Sequence, residues 1–368
     1  VDADYTIVNP KRLSRDLQTE LCQRCHMQGI SVLDSGKTFF DFRPGMQLNE
    51  VMNVFMPRYN TDATFIMASH ADRMKQSQCY SKSNTLTCIT CHNPHVSVKE
   101  TSLNEFNAKC ESCHQQRCTE KNEWLVDAKN NCVQCHMPVS NTMDIPHVTV
   151  HDHKIGIHNT VDTITPVFTH LECMTTKNPS ALLMAQGYLA TYESYAQQNL
   201  LLDSAQMYLI RCNKSSSEVI QTKIHLSFLK NDFASVIKIA DALDTTMLKD
   251  AWSSYRIAES YQQQLQAQQA LPWFIHAYTL MCHEPEFLNK LAVCYLSLKQ
   301  NDKATAYLQL ILKLTPENDE ALCNLGYISL LNGRMNDAFA LYSKSLSVNP
   351  DNVTTLLNMG GWYYINKQ

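Results

Sequence analysis

Cys88-Ile89-Thr90-Cys91-His92-Asn93-Pro94-His95 is the stretch from which the first half of the chain is read. Two cysteines three positions apart fit one helical turn, so both thiols leave the backbone from the same side. The histidine that follows at once is carried beneath them. The same C-x-x-C-H spacing recurs at Cys22-Gln23-Arg24-Cys25-His26, at Cys110-Glu111-Ser112-Cys113-His114 and at Cys132-Val133-Gln134-Cys135-His136. This is the attachment signature of c-type haem. The two thiols reach the two vinyl groups of one porphyrin, and the histidine binds iron from the proximal side. Zinc ribbons and thioredoxin-like sites also use C-x-x-C. Zinc does not require a histidine directly after the second cysteine, whereas all four pairs here have one. A thioredoxin motif needs a βαβ setting that this polar stretch lacks. The spacing therefore predicts four c-type haems, attached through Cys22, Cys25, Cys88, Cys91, Cys110, Cys113, Cys132 and Cys135, with His26, His92, His114 and His136 as iron ligands.

The distribution of these residues divides the chain. Ten of the fifteen cysteines lie between Cys22 and Cys135, and eleven of the fourteen histidines precede Leu171. Two composition regimes imply two domains, residues 1–172 and 173–368. A formal net charge of −4 gives no sign of nucleic acid or of an anionic membrane surface, and no apolar run is long enough to span a bilayer. The chain starts at Val1 with no charged-then-apolar leader, as a chain does after signal-peptide removal. Covalent haem attachment takes place outside the cytoplasm, so a periplasmic or extracellular (secreted) location is expected.

Each iron has a second axial position. Seven further histidines stand in this half: His70, His95, His147, His151, His153, His158 and His170. At roughly forty residues per haem, little of the protein lies away from a porphyrin, which favours histidine as ligand. His95 is the first candidate, because Pro94 stiffens the turn that carries it; so close to His92, it would reach a neighbouring haem. His70 falls in a helical stretch. The alternation in Pro146-His147-Val148-Thr149-Val150-His151-Asp152-His153 reads as extended, with the three histidines on one face. Met27 and Met137 follow proximal histidines directly and read as packing. Met46, Met52, Met56, Met67 and Met74 are other conceivable ligands, but the supply of histidine already exceeds the demand. Four bis-histidine, low-potential haems are expected.

Cys79-Tyr80 with Leu86-Thr87-Cys88 through His95 resembles a segment of multihaem cytochromes that carry tetratricopeptide tails. Cys132 through Pro138, Ile145-Pro146-His147 and Asp152-His153-Lys154-Ile155 are similar to the closing segment of that group. The group is related to the tetrahaem cytochrome that accepts electrons from hydroxylamine oxidoreductase. The resemblance covers roughly residues 60–160 and extends only loosely to the first motif. It implies a compact, loop-rich haem domain with closely stacked haem pairs. It further implies that His70, His95, His147 and His153 are the distal ligands, that His151 is not one, and that Cys79 and Cys118 form a disulfide, as an oxidising compartment permits.

From about Pro179 a 34-residue period takes over, the tetratricopeptide length. The clearest unit runs from Asp319 to Asn352, with Leu322, Leu325, Gly326, Ala338, Tyr342, Leu346 and Pro350 in place. Leu288, Leu291, Ala292, Tyr295, Ala304 and Leu308 repeat it one period earlier, and Ile257, Ala258, Tyr261, Ala270 and Phe274 two periods earlier. A weaker copy spans Ile220–Leu243 and a degenerate one Leu182–Cys212, and after Pro350 a further helix is left unpaired. Cys173, Cys212, Cys282, Cys294 and Cys323 read as core packing; His225, His276 and His283 are assigned no metal. The expected fold is mainly α, a loop-rich tetrahaem domain followed by a tetratricopeptide α-solenoid.

Electron transfer among redox protein partners is the first functional reading, since saturated ligation leaves iron free only to change oxidation state. No nucleophile motif or nucleotide loop appears. The alternative is a haem enzyme with one five-coordinate iron, acting on a nitrogen oxide or similar small substrate. A homopolymer that carries charge along an extracellular filament is compatible with the first reading. The repeat groove would take a protein or peptide, or else buttress the haem domain.

Overall fold

The computed structural model describes residues 8–61, 66, 68–114, 131–142, 145, 147–157, 164–195, 197–213 and 216–367. The chain is mainly helical and divides into two compact units, Val1–Leu201 and Leu202–Gln368.

The first unit is built on a small antiparallel sheet. Strand β2 (Met52–Tyr59) lies between β1 (Ile30–Leu33) and β5 (Phe168–Cys173), with Phe55 opposite both Ile30 and Cys173. Strand residues normally alternate between covered and exposed faces. Met52, Asn53, Val54, Phe55 and Met56 are instead all buried, because both faces of β2 are covered. One face meets Met27, Leu48 and Ala71. The other receives the helix Ala181–Ser194, whose Gly187 rests on the Phe55 ring; a Cβ at Gly187 would stand 2.8 Å from that ring. Met52, Met56 and Met74 are core residues at 6% exposure or less, and Met27 is packing as expected.

Short helices carry the remainder of this unit: α1 (Arg15–His26), α2 (His70–Lys75), α3 (Gln78–Lys82), α4 (Cys88–Cys91), α5 (Leu103–Glu111) and α6 (Cys132–His136). A hairpin of β3 (Val139–Asn141) and β4 (Thr149–His151) follows α6. The composition break at residues 172/173 falls at the end of β5. Residues 173–201, placed by the sequence with the repeats, belong to the first unit, because the helix Ala181–Ser194 (α7) packs on its sheet. The degenerate repeat Leu182–Cys212 is therefore split between the units.

In the second unit the repeats are antiparallel helix pairs: α9 (Ser217–Leu229) with α10 (Phe233–Ala240), α11 (Ala251–Gln263) with α12 (Ala267–Leu280), α13 (Pro285–Ser297) with α14 (Asn301–Leu314), and α15 (Asp319–Leu331) with α16 (Met335–Val348). Helix α8 (Asn199–Ile210) precedes them across the unit boundary. Helix α17 (Val353–Asn366) follows α16, and it is anchored, since Trp362 is buried and donates to the Met335 carbonyl at 2.8 Å. Ala258, Ala270, Ala292, Ala304 and Ala338 are fully buried where helices cross. Of the cysteines read as packing, Cys294 and Cys323 are buried, Cys282 is exposed beyond the end of α12, and Cys173 sits on β5.

The turn inside each pair is a left-handed residue, and it recurs every 34 positions: Asn231 (φ 55°), Leu265 (φ 58°), Lys299 (φ 58°) and Gly333 (φ 73°). At each, the next amide donates to the carbonyl five residues back, as in Gln266 N to Tyr261 O and Gln300 N to Tyr295 O, both at 2.9 Å. Leu265 holds this conformation while 94% exposed, so its side chain gains nothing from burial to offset the strain. Leu265→Gly should raise the stability of the chain by about 1 kcal/mol, read from urea denaturation. Gly326→Ala should act the other way. Its Cβ would stand 2.6 Å from the ring of Tyr342, which is fully buried and has nowhere to move, and a loss of about 1–3 kcal/mol is expected.

Candidate functional site

All four C-x-x-C-H motifs lie on or beside a helical turn. The first is the last turn of α1, the second is α4 with His92 as its C-cap, the third closes α5, and the fourth is α6. The His92 amide donates to Cys88 O at 3.0 Å and the His114 amide to Cys110 O at 2.9 Å. In this i, i+4 geometry each histidine stacks a turn above its first cysteine. The motifs also meet in pairs. Cys22 and Cys88 share a side-chain hydrogen bond that lowers Cys22 to about 7 and raises Cys88, so the pair releases one proton readily and holds the second. Burial raises Cys110 to about 11, with Cys132 beside it.

Four histidines come together from distant parts of the sequence. The ring centres of His26 and His70 are 5.6 Å apart at an interplanar angle of 88°. Those of His92 and His153 are 6.1 Å apart and only 26° from parallel. His70 and His153 touch edge to face at 4.7 Å. Burial lowers His70 and His92, and it lowers His153 to about 4, so the rings stay neutral and keep a nitrogen lone pair at neutral pH. His153 Nδ1 donates to His151 O at 2.9 Å and His136 Nδ1 to Gly156 O at 3.0 Å. A carbonyl only accepts, so each bond fixes the tautomer and leaves Nε2 as the basic nitrogen. His70 Nδ1 is buried without a hydrogen-bond partner.

Of the expected distal ligands, His70 and His153 thus lie in one cluster with two proximal histidines. His95 is exposed, its amide bonded to Asn93 Oδ1 at 3.1 Å. His147 is exposed with φ 63°. The extended face expected for His147, His151 and His153 is not formed: only Thr149–His151 is strand, and His147 is turned out of it by its left-handed backbone. His170 stands exposed on β5, and His151 donates Nδ1 to Met137 O at 2.8 Å. Cys118, His158 and Met67 lie outside the described residues, and with Cys118 the pairing expected for Cys79. Among the described residues no group of three or more His, Cys, Asp or Glu is arranged to hold a metal ion by itself.

Sequence reasoning missed the charged frame around this cluster. Arg58 on β2 grips Asp72 of α2 with two bonds of 2.8 Å, and Asp72 is 2% exposed. On the other side of α2, Arg73 grips Asp152 of the loop before His153. A cleft of about 220 Å³ opens beside the first motif, lined by Cys25, Met27, Leu48, Met52 and Val54. From Cys88 to Ile157 the described residues include one buried side chain, Asp152.

In the second unit, side chains tie the first helices of successive repeats. Tyr255 donates to Glu286 at 2.6 Å, Asn289 to Glu320, Asn324 to Asn289 at 2.8 Å, and Lys290 pairs with Glu259 at 3.0 Å. Residues 285–318 and 319–352 match the tetratricopeptide repeat family. The helical unit is a tetratricopeptide array. The chain is 37% identical over 78 residues to the BBSome complex member BBS4 of Bos taurus, which is 21% of this chain and 15% of the length of that relative. Among solved structures it is similar to MamA (41-end) of Desulfovibrio magneticus RS-1, with 17% identity, a TM-score of 0.40 and coverage of 48% of this chain and 99% of that one. It is similar also to YrrB, a TPR protein with an unusual peptide-binding site, with 15% identity, a TM-score of 0.39 and coverage of 48% and 92%. The first TPR of Spaghetti (RPAP3), bound to an HSP90 peptide, is 16% identical with a TM-score of 0.30, covering 34% and 98%. No helix of the described residues is long and apolar enough to cross a membrane.

Replacing Arg58 by Leu strips Asp72 of its guanidinium inside the protein. A loss of about 3 kcal/mol is expected, measured by denaturation of the purified chain.

Proposed function

We propose that this chain is an extracytoplasmic electron carrier, with four covalently attached c-type haems in its first unit and protein partners docked on its tetratricopeptide array. The observation that carries the reading is the pairing of histidine rings. His26 with His70, and His92 with His153, each join the histidine of a C-x-x-C-H motif to one from elsewhere in the chain. With metal–nitrogen bonds of about 2.0–2.1 Å, two imidazoles on opposite sides of one metal have ring centres about 6 Å apart. The observed 5.6 and 6.1 Å are close to that separation.

The donor set fits the group. Haem iron takes two axial protein ligands, so no site of three protein donors is required. The tautomers of His136 and His153 leave the nitrogen that binds iron, and His70 carries a buried nitrogen in want of a partner. Among the described residues from Cys88 to Ile157 one side chain is buried, Asp152; porphyrin faces would add apolar surface there for the chain to pack on.

Cys22, Cys25, His26 and His70 would hold one haem, and Cys88, Cys91, His92 and His153 a second. Cys110, Cys113 and His114, and Cys132, Cys135 and His136, would hold the others, with His95 and His147 completing them. When bound, each haem supplies an iron that alternates between ferric and ferrous states. The protein's part would be to hold the iron through imidazole nitrogens, those of His26, His70, His92 and His153 among them. The array adds an extended surface of the kind stacked repeats offer to partners, and redox proteins are the partners this reading assigns to it.

The chain, produced with an extracytoplasmic haem-attachment system, is expected to carry four haems by intact mass and haemochrome absorbance. Low-temperature EPR of the oxidised protein should contain only low-spin signals. Cys88→Ser with Cys91→Ser should lower the count to three. A chain that takes up zinc instead of haem would overturn the reading, and a strong high-spin ferric signal would move it to an enzyme with an open iron.

A further inference from the structure

The two histidines that share the cluster with His26 and His92 are 83 residues apart, and an ion pair joins the segments that carry them. Arg73 Nε donates to Asp152 Oδ1 at 2.8 Å and Arg73 Nη2 to Asp152 Oδ2 at 2.5 Å, a paired fork with both side chains 7% exposed. Arg73 lies one turn along α2 from His70, so His70 sits on the same helical face as the guanidinium. Asp152 is the residue before His153. The pair is fixed at both ends. The Arg73 amide donates to Ser69 O at 3.0 Å, the Asp152 amide to Pro138 O at 3.0 Å, and the Lys154 amide to Asp152 Oδ1 at 2.9 Å. Neither partner has slack.

We infer that the buried Arg73–Asp152 pair is a positioning device that sets the ring orientations of His70 and His153 as axial ligands: crossed against His26 at 88° and near-parallel to His92 at 26°. This rests on the haem reading given above. Pure burial energy is a poor reason for such a pair, since two charges leave water to form it and an apolar pair of similar size often serves stability as well. What an apolar pair cannot supply is a fixed angle. The planar guanidinium meets the planar carboxylate through two parallel bonds, so rotation about either side chain breaks one of them. The pair also places equal and opposite charges beside His70 and His153, which cancel while both are present.

Two consequences follow from the geometry. In low-spin ferric haem, crossed axial imidazoles give a single large-g feature, whereas near-parallel ones give a rhombic triplet; the wild-type protein should show both. Removing one charge should move midpoint potentials in opposite directions. Asp152→Asn leaves the cation, which favours the reduced iron and raises the potential of the affected haems. Arg73→Gln leaves the anion and lowers it.

The test is redox-monitored EPR of the full haem-loaded chain for wild type, D152N, R73Q and R73K. Haem per chain is determined first, because a wild-type chain without haem overturns the reading on which this inference rests. The inference itself expects four haems in each variant, loss or displacement of the large-g feature in D152N and R73Q, and potential shifts of opposite sign. Wild-type EPR features in both variants, or shifts of the same sign, would overturn it and leave the pair a structural contact. Should D152N and R73Q load haem poorly, R73K decides on the same spectra: it keeps the charge but loses the fork, so the large-g feature should broaden or shift without a signed change in potential. An unchanged spectrum in R73K would also overturn it.

Discussion

The ion pair between Arg73 and Asp152 is the contact on which the first unit turns. It joins α2, which follows the sheet, to the loop that leaves the β3–β4 hairpin. On the side of Asp152 the burial is sparse: between Cys88 and Ile157, Asp152 is the one buried residue among those described. The apolar core of the unit lies at the sheet, around Leu48, Met52, Val54, Phe55 and Ala71. Away from it directional contacts stand out, with Arg58 on Asp72 to one side of α2, Arg73 on Asp152 to the other, and a histidine to carbonyl bond that ties His136 to Gly156. Such contacts fix angles as well as distances, which suits a site made of planar rings.

The second unit obeys the opposite logic. Its helices meet at fully buried alanines and large apolar residues, and its turns repeat a left-handed backbone and a hydrogen bond to the carbonyl five residues back every 34 positions. Each repeat contacts its neighbours, so stability accumulates along the array from local terms. Electrostatic detail enters along the first helices, where Glu259, Glu286 and Glu320 are matched by Lys290, Tyr255 and Asn289. One chain therefore combines a part that depends on a few polar contacts with a part that depends on many apolar ones.

Features set by short spacings were open to reading from the sequence. C-x-x-C-H places two thiols and an imidazole on one turn, and every such motif lies at a helical turn because three and four residues span that turn whatever surrounds it. The 34-residue period located the helix pairs for the same reason, since each repeat packs on its neighbours. The left-handed turns were half visible: Asn231 and Gly333 are residues that suggest them, whereas Leu265 and Lys299 conceal them.

Tertiary structure decided what depends on contacts across long separations. No local spacing could show that β1, β2 and β5 form one sheet, that residues 173–201 belong to the first unit, or that His147 turns away while His153 turns in. The residues put His95 first among the seven further histidines, and the resemblance set His70, His95, His147 and His153 together. The fold brings His70 and His153 into contact, beside a carboxylate and a guanidinium 79 residues apart in sequence. Short spacing was enough to place two thiols and an imidazole on each of four turns. Which turns face one another was left to the fold, because that choice is made by desolvated charges and packed side chains that meet only when the chain is closed.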